Sequence, residues 1–431
     1  MKKIYACFTT DVIHEGHMNI IKKAKEYGYL IAGVMSDEAK AGGYRFSTIS
    51  FEERLNLFKN IPEIDEVVVQ SEMLYENVLR EIKPDYVIHG DDWKKGAKSY
   101  IRNNVIKVLR EWGGELIELP TTRNETIDRI DAQAKAKIAM PEFRRKRLKK
   151  LIELRPIVKA LEVHSGLTGL IVEKTVVENE NGTDQFDAMW ISSLCDSTVK
   201  GKPDIELVDM SSRIRTVEDV LDVTTKPIIL DGDTGGLQEH FVYNVRTLER
   251  IGVSAVIIED KIGLKQNSLF GNDVEQKQDT IENFCNKIRA GKKALRTDDF
   301  MIIARIESLI LDKGIEDALE RAFAYVEAGA DGIMIHSRKT EPDEIFIFCD
   351  KFRIQDKKTP LVVVPTAYNK VYEKELCQHG INVVIYANQL TRSAFPAMKN
   401  TAISLLENQR AYEIDKDLLS INKIITLIDR I

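Results

Sequence analysis

From Pro156 onward the chain repeats one pattern eight times: a short apolar run, a polar break, then a stretch of helical periodicity. The runs fall at 161–163, 188–191, 227–230, 255–258, 301–304, 332–335, 361–364 and 383–385. Helical stretches such as 216–223, 241–251, 314–328 and 342–352 separate them. Short uninterrupted apolar runs suit strands covered on both faces, as in a parallel sheet flanked by helices. Eight β–α units in roughly 250 residues predict a closed (β/α)8 barrel over 156–431. An open doubly wound sheet is the competing fold, but it seldom needs eight strands.

Residues 1–130 carry a second, shorter alternation. Strands are predicted at 3–8, 29–35, 66–69, 86–89 and 115–119, with helices at 18–27 and 52–58, so this part is also α/β with a parallel sheet. Two domains agree with a length of 431 residues, too long for one ordinary core. Between them, 131–155 is a basic helical linker ending in Phe143-Arg144-Arg145-Lys146-Arg147-Leu148-Lys149-Lys150. Without interleaved aromatics these charges read as a solvated face, not a nucleic-acid patch.

A net charge of −6 argues further against nucleic acid, and an anionic substrate would need local cations, a helix N-terminus or a metal ion. No run is long enough to span a bilayer, and Met1-Lys2-Lys3-Ile4-Tyr5-Ala6 does not open a signal peptide. The five cysteines are scattered with no CxxC pair, which fits a reduced cytoplasmic protein.

A barrel carries its chemistry at the C-terminal ends of its strands. Just past the runs stand His164-Ser165, Ser192-Ser193, Asp231-Gly232-Asp233, Glu259-Asp260-Lys261, Arg305-Ile306-Glu307, His336-Ser337-Arg338, Pro365-Thr366 and Asn388. Any one of these could be a salt bridge at a barrel rim; paired acids, an arginine and a histidine at successive strand ends point to a site. Asp231, Asp233 and Glu259 are hard oxygen ligands suited to Mg²⁺, which would stabilise enolate charge on a 2-oxo acid. Arg305 offers a planar fork for a phosphoryl group or carboxylate, and His336 a donor to a phosphoryl oxygen.

Over about 161–406 the sequence resembles the phosphoenolpyruvate mutases of the isocitrate lyase superfamily. The resemblance rests on Trp190-Ile191-Ser192-Ser193-Leu194, Asp231-Gly232-Asp233-Thr234-Gly235, Ala304-Arg305-Ile306-Glu307, Met334-Ile335-His336-Ser337, and Glu259-Asp260-Lys261 followed after five residues by Asn267-Ser268. It implies that Asp231 holds Mg²⁺ directly, with Asp233 and Glu259 acting largely through waters. Trp190, Ser192, Ser193 and Leu194 would receive the pyruvate unit. Asp204, Lys265 and Asn267 would lie on or beside a mobile loop, and Arg305 and His336 would grip the phosphoryl group as it moves from enol oxygen to C3. The carbon–carbon lyases of the superfamily carry a loop cysteine; here the loop reads Lys261-Ile262-Gly263-Leu264-Lys265-Gln266-Asn267. Phosphonopyruvate hydrolase is the nearer relative, and Asn267 favours the mutase. The same family implies a homo-oligomer, a tetramer exchanging a C-terminal helix, in which the apolar-periodic 418–431 could take part.

In the first domain, Thr9-Thr10-Asp11-Val12-Ile13-His14-Glu15-Gly16-His17 places an HxGH at a strand-to-helix turn. That suits nucleotidyl transfer, with two imidazoles and a helix N-terminus facing an α-phosphate; a histidine-bearing helix cap is the plainer alternative. With His89-Gly90-Asp91-Asp92-Trp93 and Phe51-Glu52-Glu53-Arg54, residues 3–130 resemble glycerol-3-phosphate-type cytidylyltransferases, a Rossmann-like fold. The resemblance implies CTP as co-substrate, His14, Gly16 and His17 at its phosphates, Asp92 and Trp93 near the cytosine, and Lys40 and Arg54 toward a small phosphonate or phosphate substrate. The sequence departs from that family at Phe8, where a glycine is usual, and across Thr121-Thr122-Arg123-Asn124-Glu125-Thr126-Ile127-Asp128, which lacks a glycine and adds acids.

Overall fold

The computed structural model of the protein describes residues 1–42, 47–94, 99–122, 124–179, 182–263 and 265–428. Arg123 of the expected nucleotide segment, Leu264 of the loop after Lys261, and the last three residues of 418–431 lie outside the described residues.

In the first domain β1 (Lys3–Phe8), β2 (Tyr29–Met35), β3 (Glu66–Gln70), β4 (Tyr86–Gly90) and β5 (Glu115–Leu119) pair in parallel in the order β3-β2-β1-β4-β5. Alternation along β1 supplies both faces: Tyr5 and Cys7 join one apolar cluster, Ile4, Ala6 and Phe8 the other. Helices α1 (Glu15–Tyr27), α2 (Asp37–Gly42), α3 (Phe51–Lys59), α4 (Glu76–Ile82) and α5 (Ser99–Leu109) connect the strands. The strand order reverses between β1 and β4, so a crevice opens at their C-terminal ends, where His14–His17 and Asp91–Trp93 stand.

Helices α6 (Glu125–Ala139) and α7 (Pro141–Leu154) join the two domains. The basic segment corrects the expectation of a solvated face. On α7, Arg144 donates to Thr224 O (2.9 Å), Arg145 to Glu249 O (2.8 Å) and Arg147 to Thr225 O (3.1 Å). Leu148 and Leu151 enter an apolar cluster with Val158, Ala188, Ala255 and Met301. Each of those four opens a barrel strand, so α7 plugs the N-terminal mouth of the barrel. The arginines are consumed by backbone carbonyls at helix ends and loops, which charge counting along the sequence does not show.

The barrel closes with all-parallel neighbours in the order β10-β11-β14-β15-β16-β17-β6-β9. Its first part runs β6 (Val158–Glu162), α8 (Gly166–Lys174), a hairpin β7–β8 (Val176–Asn179 and Gly182–Gln185), β9 (Ala188–Ile191), α9 (Ser193–Val199), α10 (Met210–Leu221) and β10 (Ile228–Asp231). Then follow α11 (Gln238–Ile251), β11 (Ala255–Glu259), a short ribbon β12–β13 (Lys261–Ile262 and Lys277–Gln278), α12 (Ile281–Ala294), β14 (Met301–Ile306) and α13 (Gly314–Glu327). The last units are β15 (Gly332–Ile335), α14 (Asp343–Gln355), β16 (Leu361–Val363), α15 (Glu373–Gln378), β17 (Val383–Tyr386) and α16 (Gln389–Asn408). The first barrel strand starts earlier than its predicted 161–163. Lys159 interrupts the apolar run, yet it is buried by pairing with Asp184. Among the described residues no helix is long and apolar enough to cross a membrane.

The first domain docks on α7. Lys150 Nζ donates to Asp37 Oδ2 at 2.8 Å, and Arg155 to Ala41 O at 3.2 Å.

Candidate active site

The strand ends converge on a small cavity lined by Trp190, Ser192, Ser193, Leu194, Asp204, Asp231, Lys265, Asn267, Arg305 and His336, with Ser268, Thr366 and Asn388 beside them. These include all the catalytic and substrate residues expected of the barrel, and one of the three expected metal ligands. Asp231 ends β10 and accepts from Ser193 N (3.1 Å) and Ser193 Oγ (2.8 Å) at the start of α9. Asp233, two residues on, adopts φ 53° and accepts from Arg213 Nη1 at 2.6 Å and from Lys265 Nζ. Glu259 ends β11 and meets Lys261 Nζ at 3.1 Å and Arg305 Nη1 at 3.3 Å.

The cluster is electrostatically polarised. Burial works against ionising Asp231, but Lys265, Arg213 and Arg305 hold it down at about 2. Burial pushes Glu259 up to about 7 against the pull of Arg305 and Lys261. Burial likewise lowers His336 to about 3, and the Arg305 guanidinium acts in the same direction, so the ring is neutral. Glu307 is buried too, but Arg305 and Lys261 keep it well below the usual carboxylate range.

The β12–β13 ribbon closes one side of the cavity. Lys265 Nζ reaches Ser193 Oγ (2.6 Å) and Asp204 Oδ1 (2.8 Å), and Asn267 Nδ2 donates to Asp204 Oδ2 (2.9 Å). Lys261 Nζ ties the loop to itself through Gln266 O (3.0 Å), Ser268 Oγ (2.9 Å) and Gln276 Oε1 (2.9 Å). Arg305 donates to Glu307 through Nε (2.6 Å) and to Ser268 Oγ through Nη2 (2.5 Å). Asp260 lines no part of the cavity: it accepts from Tyr325 (2.7 Å), Gln278 (2.9 Å) and Glu307 N (2.9 Å) inside the barrel wall.

Among the described residues no three His, Cys, Asp or Glu side chains converge as a metal cage. The donor chemistry nonetheless fits a hard cation held partly through water. Glu259, 1% exposed, has ion pairs to Lys261 and Arg305 but accepts a hydrogen bond at neither oxygen, and Asp231 is held ionised in the same cluster. Mg²⁺ commonly takes one or two carboxylates and keeps several waters.

In the first domain, His14 caps α1: its Nδ1 accepts from Gly16 N (3.1 Å), while His17 Nδ1 accepts from His14 N (3.4 Å). The two rings lie 3.9 Å apart at the crevice. Lys40 Nζ pairs with Asp11 Oδ1 at 2.9 Å and donates to Ser47 Oγ at 2.5 Å. Asp92 is exposed at the end of β4, as a ligand contact requires. Two expectations need correction. Trp93 is not at the crevice surface: it is 1% exposed, stacks on His89 at 3.7 Å and donates to Glu118 at 2.9 Å. Arg54 is 0% exposed and donates to Met35 O (2.6 Å) and Asp37, which places it behind the crevice surface and not on it. Phe8 fills the glycine position by packing on Phe58 at 4.9 Å.

The sequence pattern of the family described as phosphoenolpyruvate phosphomutase matches residues 148–406. The chain belongs to the phosphoenolpyruvate phosphomutase family. A phosphoenolpyruvate phosphomutase of Tetrahymena pyriformis is 34% identical over 281 residues, covering 65% of this chain and 89% of its own length. A phosphonopyruvate hydrolase of Variovorax sp. (strain Pal2) is 36% identical over 244 residues, covering 56% of this chain and 83% of its own. A solved phosphonopyruvate hydrolase in complex with oxalate and Mg²⁺ superposes with a TM-score of 0.59 at 31% identity, over 66% of this chain and 94% of that one. A second pattern, described as cytidylyltransferase-like, matches residues 6–158. The protein is thus an enzyme of the phosphomutase family with a cytidylyltransferase-like domain at its N-terminal side.

Against that family frame, sequence reading missed Arg213 and Glu206. Glu206 accepts from Thr234 N (3.0 Å) and Oγ1 (2.8 Å), behind Asp233. Both come from 201–213, between two strands, where inspection of strand ends does not look. The sequence offered little signal for either: Glu206 lies in the loop before α10, and Arg213 is one of several charged residues on that helix.

Proposed function

We propose that the barrel interconverts phosphoenolpyruvate and 3-phosphonopyruvate with Mg²⁺, as a step of phosphonate biosynthesis. The observation that carries this reading is the closed ribbon, which brings Lys265 and Asn267 over the strand-end cluster and supplies amine and amide donors but no cysteine nucleophile. Incubation with 3-phosphonopyruvate and Mg²⁺, followed by ³¹P NMR, tests it. Phosphoenolpyruvate is the expected product; inorganic phosphate with pyruvate would instead establish a hydrolase.

Asp231 would hold the ion directly, with Asp233 and Glu259 supporting it through water. Bound there, Mg²⁺ supplies positive charge to the carboxylate and keto oxygens of the 2-oxo acid. The start of α9, at Ser192, Ser193 and Leu194, orients the substrate carboxylate, and Trp190 forms the floor. Arg305 offers fixed charge to the phosphoryl oxygens, while neutral His336 offers one N–H and no charge. Lys265 and Asn267 cover the transferring group. Excluding water matters because water at that position turns transfer into hydrolysis.

For the N-terminal domain we propose CTP-dependent cytidylyl transfer to a phosphonate, supported by the histidine pair at the α1 N-terminus. A second reading, a non-catalytic docking module, is favoured by the enclosure of Trp93 and Arg54 and by Phe8 in the glycine position. Calorimetry of the full chain with CTP separates them: saturable binding below millimolar supports transfer, and none at millimolar CTP supports docking. Neither activity calls for nucleic acid or membrane, and the five unpaired cysteines suit a reducing cytoplasm.

A further inference from the structure

Asp233 is held by two cations on different elements. Oδ1 accepts from Lys265 on the β12–β13 ribbon, and Oδ2 accepts from Arg213 Nη1 at 2.6 Å. Arg213 belongs to α10, which Asp209 caps by accepting from Ser212 N (3.1 Å) and which Val217 and Val220 root in the barrel core. The guanidinium is buried, its Nε lies 3.9 Å from Asp196 Oδ2, and its Nε and Nη2 have no hydrogen-bond acceptor. The carboxylate it faces is buried in a left-handed conformation, at φ 53°. Asp204, the other carboxylate partner of Lys265, is as enclosed at its side chain as Asp233 but has no second cation among the described residues; its other oxygen accepts from Asn267 Nδ2 (2.9 Å) on the same ribbon.

A substrate must enter beneath the ribbon, and when the ribbon lifts Lys265 leaves with it. Without Arg213, Asp233 would then be a buried carboxylate lacking a cation, a state far costlier than an exposed one. We propose that Arg213 is a positioning residue, the fixed counter-ion that keeps the Asp233 carboxylate paired and in place while Lys265 cycles with the ribbon. This role rests on reading 261–278 as the cover of the transfer site, but its test needs no substrate.

Hydrogen exchange of the full chain, without metal or substrate, reads ribbon opening at the amides of 265–278. Arg213→Gln strands Asp233 on opening, so ribbon exchange should slow by at least about tenfold, and Arg213→Lys should restore most of it. With Lys265→Met the ribbon carries no cation, so Arg213→Gln should then change its exchange less than about twofold. Unchanged or faster ribbon exchange in Arg213→Gln, or equal slowing with and without Lys265, overturns the counter-ion role. That outcome leaves the mutase reading to the phosphorus NMR experiment. If Arg213→Gln does not fold, Arg213→Gln/Asp233→Asn decides the matter. A folded double variant supports a purely ionic role, and a second failure to fold makes Arg213 a structural residue and overturns the proposal.

Discussion

Asn267 is fixed on both sides of its amide: Nδ2 donates to Asp204 at 2.9 Å and Oδ1 accepts from Leu269 N at 3.0 Å. Its replacement should loosen the ribbon without touching the metal ligands. We expect Asn267→Ala to lower transfer by about ten- to a hundredfold and to raise the share of inorganic phosphate, read by ³¹P NMR. The barrel residues were legible one by one because strand ends of this fold point into one cavity. Residue type alone misjudged Trp93 and Arg54. An indole and a guanidinium each combine an apolar or planar body with donors, so both serve equally as ligand contacts and as buried braces. What separates the roles is where the donors end, at Glu118, Met35 O and Asp37.

At the scale of elements, α7 does the most to relate the two domains. It leaves α6 through Pro141, and the turn after α11 passes directly over that proline. Gly252 there has φ +90°, and a Cβ would lie 2.7 Å from Pro141 Cα. We expect Gly252→Ala to destabilise the protein by about 1–3 kcal/mol, from strain in the left-handed region, with further cost from the clash, measured by denaturant unfolding. Strand positions were readable because fully buried parallel strands must be apolar throughout. The ribbon β12–β13 and the hairpin β7–β8 were not, since Lys261, Lys277, Gln278, Glu178 and Gly182–Gln185 leave no apolar run to detect. Helix α7 was seen as a helix, but its partners were invisible, because charge runs carry no record of which carbonyls they meet.

For the whole molecule, the first domain and the barrel meet through α7 and Arg155, which bind Asp37 and Ala41 O. Their docking contact is pH-sensitive. Burial opposes ionising Asp37, but Lys150 and Arg54 hold it below its ordinary value. Its stabilising contribution is therefore complete above the unfolded value, about 3.9, and is lost as pH falls through the lower folded value. We expect hydrogen exchange in α2 and α7 to rise on acidification below about pH 4, and Asp37→Asn to remove much of that dependence. The other exposed feature is α16, none of whose residues is buried and which presents Phe395, Met398 and Leu406 to solvent. A patch of this kind suits a subunit contact. We expect an oligomer by light scattering at micromolar concentration, and a shift toward monomer on Phe395→Asp/Met398→Asp.

The sequence by itself determined the α/β class, the eight-unit barrel and the identity of its strand-end acids, arginine and histidine. These follow from local rules: apolar runs make buried strands, and parallel barrels gather strand ends at one face. Tertiary structure alone decided which charges pair. Arg213 meets Asp233 across 20 residues, Lys265 meets it across 32, and Arg145 reaches a carbonyl 104 residues away. Such pairings depend on how helices are seated around the barrel, and electrostatics in a buried site is set by distance in space, on which spacing along the chain is silent.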